Sequence, residues 1–361
     1  MVARDEKLLR LDFECLQSLP GGLNEVKLWW DDQLGCHRVG KRYDAACLDD
    51  VLPEPAALEM INHPNVVGVV AAAMIDDKKR YPPPMRVVEL ITPYFPRGSI
   101  TDALLRGERF TPTRAVQIVQ AILRGLAELH DVHAIAHRDM KSANVLLTED
   151  SDPACAKICD LGLAGLFGES GTVPALNNPT LYSPPEFGCG AALSRASELY
   201  PVGLILLELL KGPFDYANYS MADIVGRLRQ GKHATTDADR QPPVWASSSM
   251  RRFLSKTVHK DPNSRFESAR EMANTLARVT CIDWRETDEL CWEAPFAFNH
   301  QRSIRVTGIR DIGGRIKLTT QVDNGKGWRR ATNVEPRTVH SLGSTQARAV
   351  FDQATKIALA R

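Results

Sequence analysis

A chain of 361 residues with 43% hydrophobic and 25% charged side chains can bury a sizeable core, and its length suggests two domains or one large domain with an appendage. Its 45 basic and 44 acidic side chains give a net charge of +1, which excludes a strong whole-chain pull toward nucleic acid or a membrane surface. The eight cysteines form no CxxC pair and no His cluster has metal-ligand spacing, so the thiols read as reduced, as in a cytoplasmic protein.

The opening stretch, MVARDEKLLRLDF, lacks the apolar core of a signal peptide. Short β runs are expected at 13–19, 25–30, 66–75 and 86–92, separated by Gly, Pro and Asp turns. The longest apolar run, Val66 to Ile75, is about half of what a bilayer requires and suits a sheet strand better. DDKKRYPPP (76–84) is polar and proline-blocked and reads as a connector. From residue 99 onward the period becomes helical. Thr111-Pro112 is a helix start, and Ile118, Val119, Ile122, Leu126 and Leu129 then fall on one face. Residues 199–210, LYPVGLILLELL, are apolar nearly all round, which predicts a helix buried on every side. A strand-rich half followed by a helix-rich half predicts an α+β protein with two lobes.

Beyond residue 280 the character changes again. RSIRVTGIRDIGGRIKLTTQVD alternates around Gly313-Gly314, a hairpin signal. After Gly343, Val350, Ala354 and Ile357 recur at helical spacing. Residues 281–361 are thus expected to form a small β-rich domain with a terminal helix. Residues 294–361 hold 12 basic and 4 acidic side chains, and the basic ones read as a charged solvated face. Docking onto the rest of the chain and recruiting a substrate are both open roles for this domain, and nucleic acid is not expected as its partner.

The most informative stretch is AIAHRDMKSANVLL (134–147), which holds His137-Arg138-Asp139, Lys141 and Asn144. Sixteen residues after Asn144, AKICDLG brings Asp160-Leu161-Gly162. These motifs resemble the catalytic loop and metal-binding motif of eukaryotic-type Ser/Thr protein kinases. The resemblance implies the two-lobed kinase fold over residues 1–280, with an N-lobe at about 11–95 and a C-lobe at about 96–280. It also implies ATP and Mg²⁺ as cofactors and protein Ser/Thr hydroxyls as acceptors. Such chemistry needs positioning and charge neutralisation more than covalent help. In that frame Asp139 accepts or orients the hydroxyl proton and Lys141 stabilises the moving phosphoryl charge, while Asn144 and Asp160 offer hard oxygens to Mg²⁺.

Other matches extend the resemblance. Pro185-Glu186 in LYSPPEF resembles the end of an activation segment, and Arg265 in HKDPNSRF stands where the family has an Arg that pairs with that Glu. LPGGLNEV (19–26) puts Gly21 at the middle glycine of a Gly-rich loop, with Leu19 and Asn24 at the other two. Gly22 and Val26 then belong to the ATP site. Val26 precedes Lys41 by fifteen residues with Gly35 in the turn between, so Lys41 is the implied phosphate-anchoring lysine and Arg42 the alternative if the register slips by one. Counting back nine from His63 in INHPNVV gives Glu54 as the lysine's partner, flanked by Pro53 and Pro55, with Glu59 as the alternative. ELITPYFPRGS (89–99) looks like the hinge, with Thr92 as gatekeeper and Phe95 meeting the adenine through its backbone.

The departures matter as well. Pro179 stands where the family usually has a Thr seven residues before the Glu, with Thr180 next to it. The carboxylate at the start of the buried helix is Glu198, one methylene longer than usual, and the Gly loop is incomplete. A pseudokinase acting as an ATP-binding or protein-interaction module is therefore the alternative. A small-molecule phosphotransferase of the aminoglycoside type is not expected to keep Lys141, the PPE motif and Arg265 together. Arg138 is implied to receive a phosphate on the activation segment, with Thr172 the preferred acceptor and Ser170 and Thr180 also in that segment.

Overall fold

A computed structural model describes residues 13–19, 25–44, 59–75, 79, 80, 82, 87–332 and 334–360. The expected sites at Gly21, Gly22 and Glu54 lie outside the described residues. The first lobe is an antiparallel sheet of β1 (Phe13–Leu19), β2 (Glu25–Asp31), β3 (Cys36–Asp44), β4 (Ala71–Met74) and β5 (Val87–Pro93). Its spatial order is β1-β2-β3-β5-β4. Lys41 on the central β3 is paired with Val26 on one side and Leu90 on the other.

Two sequence expectations change here. The run expected at 66–75 is a strand only at its end, Ala71–Met74. Val66 instead bridges to Ile158 of the second lobe, and Val67 N–H donates to the Ile158 carbonyl, so the first part of the run ties the lobes together. Strand β3 was not among the expected runs, because CHRVGKRYD has little apolar alternation. Its charges are matched only in three dimensions. Arg38 lies 3.5 Å from Asp31, and Arg42 Nε donates to Glu89 at 2.8 Å.

The second lobe is helical. Its first helices are α1 (Ile100–Leu105) and α2 (Pro112–Ala127), the latter capped by the Thr111 side chain as its sequence predicts. Ile118, Val119, Ile122, Leu126 and Leu129 are all buried. A small ribbon follows, β6 (Val145–Leu147) against β7 (Ala156–Ile158). Helix α3 (Arg195–Lys211) runs through the centre, and every residue from Ser197 to Leu210 is buried. Each large aliphatic side chain so covered contributes about 1.5–3 kcal/mol of burial, which makes α3 the rigid post of the lobe. Next, α4 (Met221–Arg229) packs on the turn at Pro185–Cys189, α5 (Ser248–Thr257) against α3, and α6 (Ala269–Leu276) on α2. Among the described residues no helix is long and apolar enough to cross a membrane.

A second apolar core begins at Ile282. It lies beneath an antiparallel sheet of β8 (Arg285–Asp288), β9 (Cys291–Pro295), β10 (Ser303–Arg310), β11 (Ile316–Asp323), β12 (Arg329–Arg330) and β13 (Arg337–Val339). The β10–β11 hairpin turns at Gly314 with φ 77°, the conformation a glycine there allows. Helix α7 (Thr345–Leu359) covers one face with Val350, Phe351 and Ala354, and Trp284 and Trp292 meet Phe351 edge-on at 5.4 and 5.2 Å. Two carboxylates fasten this unit to the helical lobe. Asp283 accepts from the Thr113 N–H at 2.9 Å, and Asp352 pairs with Arg251 at 2.7 Å while accepting from the Ser248 N–H. Both sit at helix N-termini, where a negative charge is favoured.

Close approach at one glycine gives a paired prediction. A Cβ at Gly125 in α2 would stand 2.7 Å from the Asn65 carbonyl oxygen, whereas Gly226 in α4 has nothing within 4 Å. Gly125→Ala is expected to lose about 1–2 kcal/mol and Gly226→Ala to gain about 0.5–1 kcal/mol. Thermal unfolding of the two variants checks this, and a stabilised Gly125→Ala would contradict the packing.

Candidate functional site

Asp139, Lys141, Asn144, Asp160 and Lys41 meet where the two lobes join, and α3 helps set the position of the loop that carries Asp139. Glu198, in the first turn of α3, is buried and accepts from the main-chain N–H groups of His137 and Arg138 at 2.6 and 2.9 Å. Arg138 adopts φ 61°, a left-handed conformation that a non-glycine residue holds only when its neighbours fix it. Burial pushes the Glu198 carboxyl up, but the His130 ring 3.8 Å away and the ring and N–H of His137 outweigh this and hold it below the usual range.

The loop is stitched to the Asp160 segment on its other side. His137 Nδ1 accepts from the Asp139 N–H at 3.3 Å, so Nε2 carries the proton and donates to the Cys159 carbonyl at 2.9 Å. Cys159 N–H in turn donates to the Asn144 carbonyl at 3.0 Å. The Asp139 carboxylate oxygen Oδ2 accepts from Lys141 Nζ at 2.7 Å and from Asn144 Nδ2 at 3.0 Å. Asn144 Nδ2 also donates to the Asp139 carbonyl at 2.8 Å, so Oδ1 is the Asn144 atom able to meet a cation.

Lys41 reaches down from β3 and pairs with Asp160 Oδ1, which also accepts from the Gly162 N–H at 3.3 Å. Arg42, the one-residue slip, is turned to Glu89 instead. Burial pushes the Asp160 carboxyl up, yet the Lys41 ammonium beside it prevails and keeps it below the usual carboxylate range. Asp160 is therefore ionised at neutral pH. Among the described residues no group of three or more His, Cys, Asp or Glu side chains is placed to hold a metal. Asp160 and Asn144 still offer one carboxylate and one amide oxygen. That hard, sparse donor set fits a Mg²⁺ that takes its remaining ligands from phosphate and water.

Glu186 and Arg265 form a bidentate pair at 2.7 and 2.8 Å, with the Arg265 side chain fully buried. Arg138 was expected to face a phosphate. Its guanidinium donates to the carbonyls of Leu163 at 2.6 Å, Ala164 at 2.8 Å and Pro174 at 3.3 Å. Thr172 lies on a short strand paired with Leu193–Ser194, its hydroxyl 2.7 Å from that of Ser170. Thr180 Oγ1 accepts from the Tyr182 N–H at 3.2 Å. Thr92, the residue before the last of β5, lies opposite Val39, and the Phe95 carbonyl accepts from the Gly98 N–H at 2.9 Å. Glu59 is exposed. Sequence reasoning did not pick out Glu208, a lone carboxylate in the otherwise apolar α3 stripe, although its isolation there was a readable signal.

The family model for the protein kinase domain matches residues 34–276, from the turn before β3 to the end of α6. The chain is also similar to a probable serine/threonine-protein kinase of Streptomyces coelicolor, 28% identical over 73% of this chain and 38% of that protein. Serine/threonine-protein kinase ULK3 of Xenopus laevis is 27% identical over 69% of this chain and 50% of its own length. PknJ of Mycobacterium tuberculosis, a serine/threonine-protein kinase, is 27% identical over 60% and 35%. The chain thus spans half or less of the length of these relatives.

Glu198→Gln should cost about 1–3 kcal/mol at pH 7, because a carboxamide turns a donor toward one of two buried N–H groups. The wild-type carboxylate has a depressed folded value. Its contribution is therefore present above the ordinary 4.5 and is lost as pH falls through the folded value. Urea unfolding at pH 7 and pH 4 checks both points, and the gap between wild type and variant should narrow at the lower pH.

Proposed function

The chain belongs to the protein kinase domain family, and from that premise we propose that it is a Ser/Thr protein kinase that moves the γ-phosphoryl group of ATP onto protein hydroxyls with the help of Mg²⁺. The observation that carries the proposal is the gathering of Asp139, Lys141, Asn144, Asp160 and Lys41 at one junction between the lobes. The names of the relatives support Ser/Thr acceptors.

The residues divide the work. Asp139 keeps Oδ2 on Lys141 and Asn144, so Oδ1 takes the proton of the incoming hydroxyl. Lys141 stands beside it as the cation for the developing phosphoryl charge. Lys41, held by Asp160, is placed to anchor the nucleotide phosphates. Asn144 and Asp160 would hold a Mg²⁺, which would supply positive charge against the nucleotide phosphates. Gly21, Gly22 and Val26 cover the nucleotide, Glu54 supports Lys41, and Thr92 and Phe95 face the adenine. In this reading Arg138, already engaged by carbonyls, gives the segment its order, and a phosphate on Thr172 or Thr180 would add to it. Residues 281–361 form a small docked domain. The pseudokinase alternative would need one of the phosphate- or metal-facing groups to be missing, and the described ones are present.

Labelled ATP, Mg²⁺ and a generic Ser/Thr protein substrate test this reading. Asp139→Ala and Asp160→Ala should each lower transfer by about 10²–10⁴-fold while leaving the protein folded. A well-folded Asp139→Ala with wild-type activity would overturn the assignment.

A further inference from the structure

The open face of the C-terminal sheet takes no part in the chemistry just described. Helix α7 covers the other face. Directly paired residues put their side chains on the same face, so Glu293, Arg305, Gln321 and Arg330 form one cross-strand row from β9 to β12. Arg305 is the hub of this row. Its Nε donates to Gln321 Oε1 at 3.0 Å, and its guanidinium lies 3.6 Å from Glu293. The same guanidinium stacks 4.2 Å from the centre of the Trp328 ring, which is only half-buried.

Charge around the row is lopsided. Lys317, Lys326, Arg329, Arg330 and Arg337 are all exposed at one side of the sheet, whereas β8 and the turn after it expose Glu286, Asp288 and Glu289 at the other. Arg330 pairs with Glu335 at 3.1 Å, and the other four cations meet no carboxylate among the described residues. Asp323 spends Oδ1 on the N–H groups of Gly325, Lys326 and Gly327 at 2.7, 3.1 and 3.0 Å. Among the described residues β12 and β13 pair with β11 alone, so they form the edge of the sheet. An edge guarded only against pairing with itself needs charge, but it does not need a Trp ring held half-open by a guanidinium. Trp beside Arg is what the centres of protein interfaces favour. The acids Glu293, Asp323 and Glu335 lie among these cations and would repel a continuous run of phosphates, and a single ring gives little to stack bases on. A peptide strand suits the edge better. It shows alternate side chains on one face, so acids two residues apart can meet separate cations.

We propose that this edge docks an acidic, extended segment of a partner protein along β12 and β13, with Trp328 as the anchor and Lys317, Arg329, Arg330 and Arg337 as the cations that meet its carboxylates. The inference goes beyond the kinase reading and does not rest on it. It gives the C-terminal domain a binding surface separate from the Asp283 and Asp352 contacts that hold it to the helical lobe.

Fluorescence anisotropy with the full chain tests it. The probe is a labelled peptide of alternating glutamate and valine, compared with the same peptide carrying glutamine for glutamate and with an oligothymidylate. The acidic peptide should bind at least about tenfold more tightly than the glutamine peptide, and added salt should weaken it. Trp328→Ala, and the double change Arg329→Glu with Arg337→Glu, should each weaken binding by about tenfold or more. Lys356→Glu, an exposed charge reversal on α7, should change it by less than about twofold. Arg329 and Arg337 are exposed, so the double change keeps the test open should Trp328→Ala unfold. Equal affinity for the acidic and glutamine peptides, or wild-type binding in the edge variants, would overturn the proposal. An equal loss in Lys356→Glu would overturn it too, as attraction by net charge alone. So would an oligothymidylate that binds more tightly than the peptide and is lost in the same variants, which would make the edge a nucleic-acid surface. Analytical ultracentrifugation of the chain alone supplies the last arm: a monomer supports the proposal, and a dimer broken by the edge variants would overturn it by making a second copy the occupant.

Discussion

Two hydrogen bonds from the main chain of His137 and Arg138 to the buried carboxylate of Glu198 set the position of everything at the lobe junction. A carboxylate in an apolar helix is costly unless its oxygens are met, and these N–H groups meet them. The same contact holds Arg138 in its left-handed conformation. With residues 137 and 138 fixed to the most rigid helix in the lobe, Asp139 has little freedom, and Lys141 and Asn144 close around its carboxylate. Glu208 accepts from the Ser142 hydroxyl and so fastens the far side of the loop to the same helix. One buried helix, carrying two carboxylates spaced ten residues apart, thus serves as the reference frame for the candidate chemistry.

The other half of the site comes from the sheet lobe and depends on how the lobes are joined. Lys41 must cross the junction to reach Asp160, so the register between lobes has to hold. Asn65 provides part of that register. Its amide donates to the Ala154 and Ala156 carbonyls at 2.8 and 2.9 Å and accepts from Arg124 at 3.0 Å. The tight fit of Gly125 beneath the Asn65 carbonyl belongs to the same joint. An ion pair such as Lys41–Asp160 contributes little to stability where it is partly exposed, and its weight here lies in poising both charges for a third, anionic group.

What could be read from the residues followed from how local the information was. His137, Asp139, Lys141, Asn144 and Asp160 occupy a stretch of 24 residues, and the chemistry of phosphoryl transfer explains each type, so their meeting was legible. The all-apolar run of α3 and the alternation of β10 and β11 were equally plain. Strand β3 was not, because its Arg38, Lys41 and Arg42 find partners on other strands and across the lobe junction. The run at 66–75 misled because Val66 and Val67 pair with Ile158, some ninety residues away. The docking of the C-terminal sheet was hidden for the same reason, since Asp283 and Asp352 are single acids matched to Thr113 and Arg251 far along the chain.

The central claim is that Asp160 and Asn144 meet the nucleotide through a divalent cation, and calorimetric titration of ATP with and without Mg²⁺ tests it most directly. Wild-type protein should bind ATP at least about tenfold more tightly with the metal, a difference of about 1.4 kcal/mol, and Asp160→Asn should lose that increment. Equal ATP affinity with and without Mg²⁺ in both proteins would contradict the account.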